Sequence, residues 1–179
     1  MEEQQFSSET VRMQLGQRCL PKWEELPDFE LYMDQVIALV GRCLETGCGG
    51  EEHQLTSSMV NNYVKMGAMP APVKKRYSRT HLAHLLVICT LKQVMPIAAI
   101  CAMIKKELEY CSEEAFYGFF CNEFAVAGQT AAEHGSGLSA GADARVLRRA
   151  AMGAALRAQA EQTLAAGLLS AAETDRTPE

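Results

Sequence analysis

What the chain lacks narrows its function first. No apolar run approaches the roughly 20 residues that span a bilayer. The longest, Leu82 to Leu91, is broken by His84 and Thr90, so no membrane partner is expected. The opening stretch MEEQQFSSETVRMQ has acidic residues and no apolar core, unlike a secretory leader, and the expected location is the cytoplasm. The seven cysteines include no CxxC pair. An odd number without ligand spacing, with Cys89, Cys101, Cys111 and Cys121 among apolar neighbours, argues for free thiols over disulfides or a structural zinc. No Ser/His/Asp or Cys/His set, no Gly-rich phosphate loop and no paired carboxylates accompany the basic residues. This argues against an enzyme and leaves no catalytic residue, metal or cofactor to assign.

A further absence is the most informative. Between His53 and Lys106 there is no Asp or Glu, yet this stretch holds eight of the 17 Lys and Arg: Lys65, Lys74, Lys75, Arg76, Arg79, Lys92, Lys105 and Lys106. The segments before and after it carry −7 and −6, so a +8 block sits inside a chain of formal charge −5. An acidic chain repels nucleic acid unless its positive charge is gathered in one place. A solvated face without a partner is the plain alternative.

What is present is mostly helical periodicity. Residues 1–27 read as a polar arm, with Trp23, the only Trp, as an anchor on the body. A first helix follows Pro27 with Asp28 as N-cap, and its stripe is Met33, Val36, Ile37, Val40 and Leu44. It is expected to stop before the Gly-rich Thr46–Gly50. A second helix starts near Thr56. Met59, Val60, Tyr63, Val64 and Met66 fall on one half of its wheel, and Ser57, Ser58, Asn61, Asn62 and Lys65 on the other. Gly67 ends it, Pro70 and Pro72 keep the next segment extended, and Lys74, Lys75 and Arg76 form the tip of a small basic wing closing at Tyr77.

Ser78 caps a third helix with Leu82, Leu85, Leu86 and Cys89 on one face. The run Leu85–Leu91 alone also fits a buried strand. Pro96 opens a fourth helix with the stripe Ile97, Ile100, Cys101, Ile104 and Leu108. Ser112-Glu113-Glu114 starts a fifth, whose aromatic face, Phe116, Phe119, Phe120, Phe124 and Ala127, reads as core or as the lining of a ligand pocket. After Gly135-Ser136-Gly137, an Ala-rich last helix over Ala142–Ala172 must pack closely on the Phe-rich helix or on a second chain. The tail from Glu173 is expected to be disordered.

The chemistry resides in the second helix. Adjacent exposed Asn residues disfavour helix, because their amides compete for backbone hydrogen bonds, but such an amide can pair with the edge of adenine. Ser57, Ser58 and Lys65 can reach bases or phosphates. Lys74, Lys75, Arg76 and Arg79 can neutralise phosphates on the flank. Tyr77 can offer its hydroxyl to phosphate or its ring to the core. His81 and His84 are three apart, near metal-ligand spacing, but no acid or Cys joins them; His81 alternatively meets phosphate.

The order L-T-x-x-M-V-N-N-Y-V-K-x-G, basic turn, Y-S-R-x-H-L-x-x-L, then P-I-x-x-I-x-x-x-I resembles the winged helix-turn-helix head of MerR-type regulators. Leu31-Tyr32-Met33-Asp34-Gln35-Val36, with Met59 to Lys65 and Lys74 to Ser78, resembles more closely an uncharacterised bacterial family, a domain of unknown function with a MerR-like core, over Leu26–Leu108. The resemblance implies a mainly α fold. Residues 28–110 would form the winged helix-turn-helix domain, and residues 111–179 a C-terminal helical region for dimerisation or sensing. It implies Thr56–Met66 as recognition helix, Lys74–Tyr77 as wing, and Ser78–Val94 and Pro96–Glu109 as support. The Glu45–Leu55 connection is longer than the usual turn of about 3–4 residues. The implied function is that of a transcriptional regulator binding double-stranded DNA as a homodimer, with a small-molecule effector. The competing expectation is a protein-interaction module on the same scaffold that does not bind DNA.

Overall fold

The computed structural model describes residues 8–48, 55–138 and 142–174. Among them are seven α-helices: α1 (Ser8–Gly16), α2 (Met33–Cys48), α3 (Ser57–Lys65), α4 (Arg79–Leu91), α5 (Ile97–Glu107), α6 (Glu113–His134) and α7 (Ala144–Thr174), with a 3-10 turn at Trp23–Glu25. The protein is mainly helical. Extended pairing among the described residues is confined to isolated bridges, Leu31 with Tyr77 and Val73 with Arg76.

The hub is α4. Every residue from His81 to Cys89 is buried, as expected of a helix that is apolar all round. The strand alternative for Leu85–Leu91 is therefore excluded. Around α4 pack α2, α5 and α6, contributing Val36, Val40 and Leu44, then Ile100 and Ile104, then Phe116 and Tyr117. Phe116, Tyr117 and Phe124 belong to the same core as Leu31 and Val60, so the core continues across the boundary expected at residue 110.

Two boundaries of α2 differ from expectation. Asp28 is not its cap, because Leu31 is held extended by reciprocal backbone bonds to Tyr77 (both 2.9 Å). The helix begins only at Met33, with the Tyr32 amide donating to Gln35 Oε1 (2.9 Å). At the other end α2 runs through Thr46 and Gly47 to Cys48, since one glycine costs a helix only about 1 kcal/mol. The rest of the Glu45–Leu55 connection, residues 49–54, lies outside the described residues, as do residues 175–179 of the expected tail; Glu173 and Thr174 are still helical.

The expected polar arm contains α1, and this helix docks on α6. A glycine allows the approach: a Cβ on Gly128 would stand 2.5 Å from the Leu15 carbonyl oxygen. Arg18 lies over the Phe124 ring at 4.6 Å. Farther along, the Tyr117 hydroxyl donates to the Pro21 carbonyl (2.9 Å), and Trp23 packs beside Tyr117 with centroids 6.2 Å apart, the anchoring expected of the single Trp. Gly128→Ala should cost about 1–3 kcal/mol by pushing α1 off α6. A lowered melting temperature with faster amide exchange confined to α1 and α6 would confirm it; unchanged exchange in α1 would refute the close contact.

The helix α7 spans about 46 Å and has no buried residue. At its last turns Leu169 and Ala172 line a cavity together with Ala99 and Met103 of α5 and Tyr110 beyond its end, while Val146, Met152, Leu156, Leu164 and Leu168 stay exposed. The six described cysteine side chains are free thiols. Among the described residues no helix is long and apolar enough to cross a membrane, and no group of three metal-ligating side chains forms.

Candidate nucleic-acid interface

Thr56 starts α3 by accepting the Met59 amide on its hydroxyl (3.3 Å). Val60 and Tyr63 then face the core, where burial, with Cys89 nearby, pushes the pKa of the Tyr63 hydroxyl up to about 12. A helix anchored on that side presents the opposite one to solvent. Ser57, Ser58, Asn61, Asn62 and Lys65 are all exposed, as expected from the wheel. Asn62 makes one weak contact, to Met66 Sδ at 3.5 Å.

The end of α3 is as tightly defined. Gly67, at φ 72, lets the Ala68 amide reach the Tyr63 carbonyl (2.9 Å) and its own amide reach that of Val64 (3.0 Å), a Schellman closure. The chain then enters a tight turn in which the Arg76 amide bonds the Val73 carbonyl (2.9 Å). Its two central residues, Lys74 and Lys75, have φ 50 and φ 62. Positive φ at both positions is the type I′ hairpin geometry that Asn-Gly normally supplies. Here two exposed lysines hold it at a cost.

The expected phosphate contacts separate into two groups. Lys65, Lys74 and Lys75 are exposed. The Arg76 guanidinium lies over the Tyr32 ring at 4.3 Å and donates to its hydroxyl (2.7 Å), so it is oriented while keeping free donors. Tyr77 is corrected to a core residue: it is 3% exposed, with its ring edge-on to His81 at 5.4 Å. Arg79 is half-buried, donates through Nε to the Leu26 carbonyl (3.0 Å) and lies over Trp23 at 5.6 Å. It ties the segment before α2 to α4. Elsewhere in the basic block, Lys106 is paired with Glu109 (2.8 and 3.1 Å).

His81 and His84 are buried, so neither meets phosphate. His81 Nδ1 accepts the Ser78 amide (3.0 Å) in a capping box, which places the proton of the neutral ring on Nε2. That nitrogen finds no hydrogen-bond partner, although the Ala71 and Pro70 carbonyls act on its charge. Burial dominates and holds the imidazole below its ordinary value of 6.5, against the pull of those carbonyls and Glu113 and with His84 adding to the depression. The unfolded chain therefore takes up this proton first. The full contribution of His81 to stability is present above pH 6.5 and is lost as the pH falls toward the folded value. His81→Gln, which keeps an acceptor for the Ser78 amide, should flatten this loss. Melting temperatures of both proteins between pH 7.5 and 5 should converge on acidification; parallel curves would contradict it.

His84 joins three elements. Its Nδ1 donates to the Ala68 carbonyl (3.1 Å) just beyond α3, and its Nε2 lies 2.7 Å from Oε2 of Glu113 in the first turn of α6. The ring thus bridges the carbonyl just beyond α3 and the carboxylate that opens α6. Tyr32, His84 and Glu113 were not expected site residues. Their signals are the motif containing Tyr32 and a lone His in an otherwise apolar run, which needs a buried partner.

These features define a helical protein with an acid-free face made of one short helix and a strained basic turn. A family model described as Domain of unknown function (DUF1836) matches residues 21–120, more than half the chain. The protein belongs to that family. No curated protein and no solved structure matches the chain.

Proposed function

We propose that the protein is a sequence-specific DNA-binding transcriptional regulator with a MerR-like winged helix-turn-helix core. In this reading α3 is the recognition helix and the Val73–Arg76 turn is the wing. The observation that carries it is the outward face of α3: five polar residues without an acid among them, held by two buried anchors and followed, past the segment from Met66 to Val73, by an exposed Lys-Lys turn. Asn61 and Asn62 read base edges, Ser57, Ser58 and Lys65 contact bases or phosphates, and Lys74, Lys75 and Arg76 grip the flanking backbone. A homodimer doubles this small surface over two half-sites, and the exposed α7 supports dimerisation.

The test is binding to DNA from upstream of the protein's own gene, against a scrambled duplex, over a salt series. Asn61→Ala/Asn62→Ala should weaken specific binding at least about tenfold without changing the melting temperature, because both side chains are exposed. Loss of affinity for both duplexes alike would remove base reading from the proposal. No binding at low salt would remove DNA altogether.

A second reading, a protein-interaction module, is favoured by one observation. A cavity of about 520 Å³ lies beside the bridge to Tyr77, lined by Pro27, Phe29, Leu31, Leu39 and Arg42 among others, and Phe29 is 63% exposed there. Phe29→Ser would separate the readings, since it should leave DNA binding intact.

A further inference from the structure

Between the end of α4, α5 and the first half of α6 lies a cavity of about 430 Å³, within the range that encloses small ligands. Met95, Met103, Phe116, Phe120 and Phe124 line it. Phe120 and Phe124 lie near-parallel with centroids 6.4 Å apart, and Phe119, 65% exposed, stands at the mouth. Such exposure of a large aromatic ring beside an apolar cavity costs free energy unless something covers it. The charged groups in the lining are Glu107 and Glu123; no Lys, Arg or His lines it.

This lining selects by charge. An organic anion would meet two carboxylates and no cation. A neutral apolar molecule would gain the rings but not the rim. A cation with an apolar body gains both, since the faces of the phenyl rings carry negative potential and attract cations within about 6 Å. We propose that the cavity binds a small lipophilic cation, with the Phe rings holding its body and Glu107 and Glu123 its charge.

The cavity is also placed to act on the basic face. Phe116 is one helical turn from Glu113, which holds His84, which holds the Ala68 carbonyl at the end of α3. A ligand seated against α6 thus bears on the element that fixes the exit from α3. This regulatory half rests on the DNA-binding reading; the binding site itself does not.

Tetraphenylphosphonium and tetraphenylborate have the same shape and opposite charge, so calorimetry of each with the full chain, without DNA, tests the site. The cation should bind saturably, one per chain, and the borate at least about tenfold more weakly. Glu107→Gln/Glu123→Gln should erase that discrimination without lowering the melting temperature, both carboxylates being exposed. Ala127→Trp, at an exposed position in the lining, should block binding of the cation. Equal binding of the two ions, or preference for the borate, would overturn the proposal. So would binding of neither, and sedimentation of a dimer that Phe119→Glu dissociates would then assign the groove to a second copy. Cation binding that is retained by a chain found not to bind DNA would keep the site and remove its regulatory role.

Discussion

Replacing His84 by alanine should cost the protein about 3 kcal/mol or more, seen as a fall of several degrees in the melting temperature. The reason is the number of groups left behind. The ring is 3% exposed, its removal opens space in the core, the Ala68 carbonyl loses its donor, and the Glu113 carboxylate loses its partner at 2.7 Å. Glu113→Gln should be much milder, about 1 kcal/mol. A Gln amide can donate to Nε2 of a neutral ring while Nδ1 still serves Ala68, and the Glu113 side chain is 31% exposed, so solvent already screens part of its charge. Equal losses in the two variants would show that the ionic component, not the hydrogen-bonded bridge to Ala68, carries the stability. An unaffected His84→Ala would refute the bridge.

Lys74→Asn/Lys75→Gly should move stability and DNA affinity in opposite directions. Both lysines sit at positive φ, where an L side chain crowds its own backbone at a cost of about 1 kcal/mol or more each, and Asn-Gly is the pair that adopts this turn without strain. The variant should therefore be more stable by about 1–2 kcal/mol. It should also bind DNA more weakly, with the slope of log K against log salt reduced by about 2, one unit for each lost phosphate contact. A gain in stability with unchanged DNA affinity would remove the turn from the proposed interface. A loss of stability would show that the lysines make compensating contacts in the fold. The trade is the pattern expected where strain is kept for function.

The sequence made the local part of this structure legible. Thr56 and Ser112 cap their helices, the latter accepting the Ala115 amide at 3.2 Å, and Gly67 closes α3, because each interaction involves residues within about one turn. The outward placement of Ser57, Ser58, Asn61, Asn62 and Lys65 follows from the same short-range periodicity. The family was legible for a related reason: its motif residues lie in these local elements. The turn at Lys74–Lys75 was placed correctly as a basic tip, but its positive φ was not readable, since neither residue favours it.

The remainder depends on partners distant in the chain. Arg79 was expected on phosphate and instead holds Leu26, 53 residues away; Arg76 is aimed by Tyr32, 44 residues away; His84 finds Glu113 at a separation of 29. The polar arm became a docked helix because Gly128 leaves room for Leu15, a fact without any trace in helical periodicity. The sequence by itself determined the starts at Thr56, Ser78 and Ser112 and the stop at Gly67, which face of α3 is polar and where positive charge is concentrated, for these are set by neighbours along the chain. Only the tertiary structure decided which cations remain free and which polar groups are buried, because burial and partnership are set by whatever the fold brings alongside.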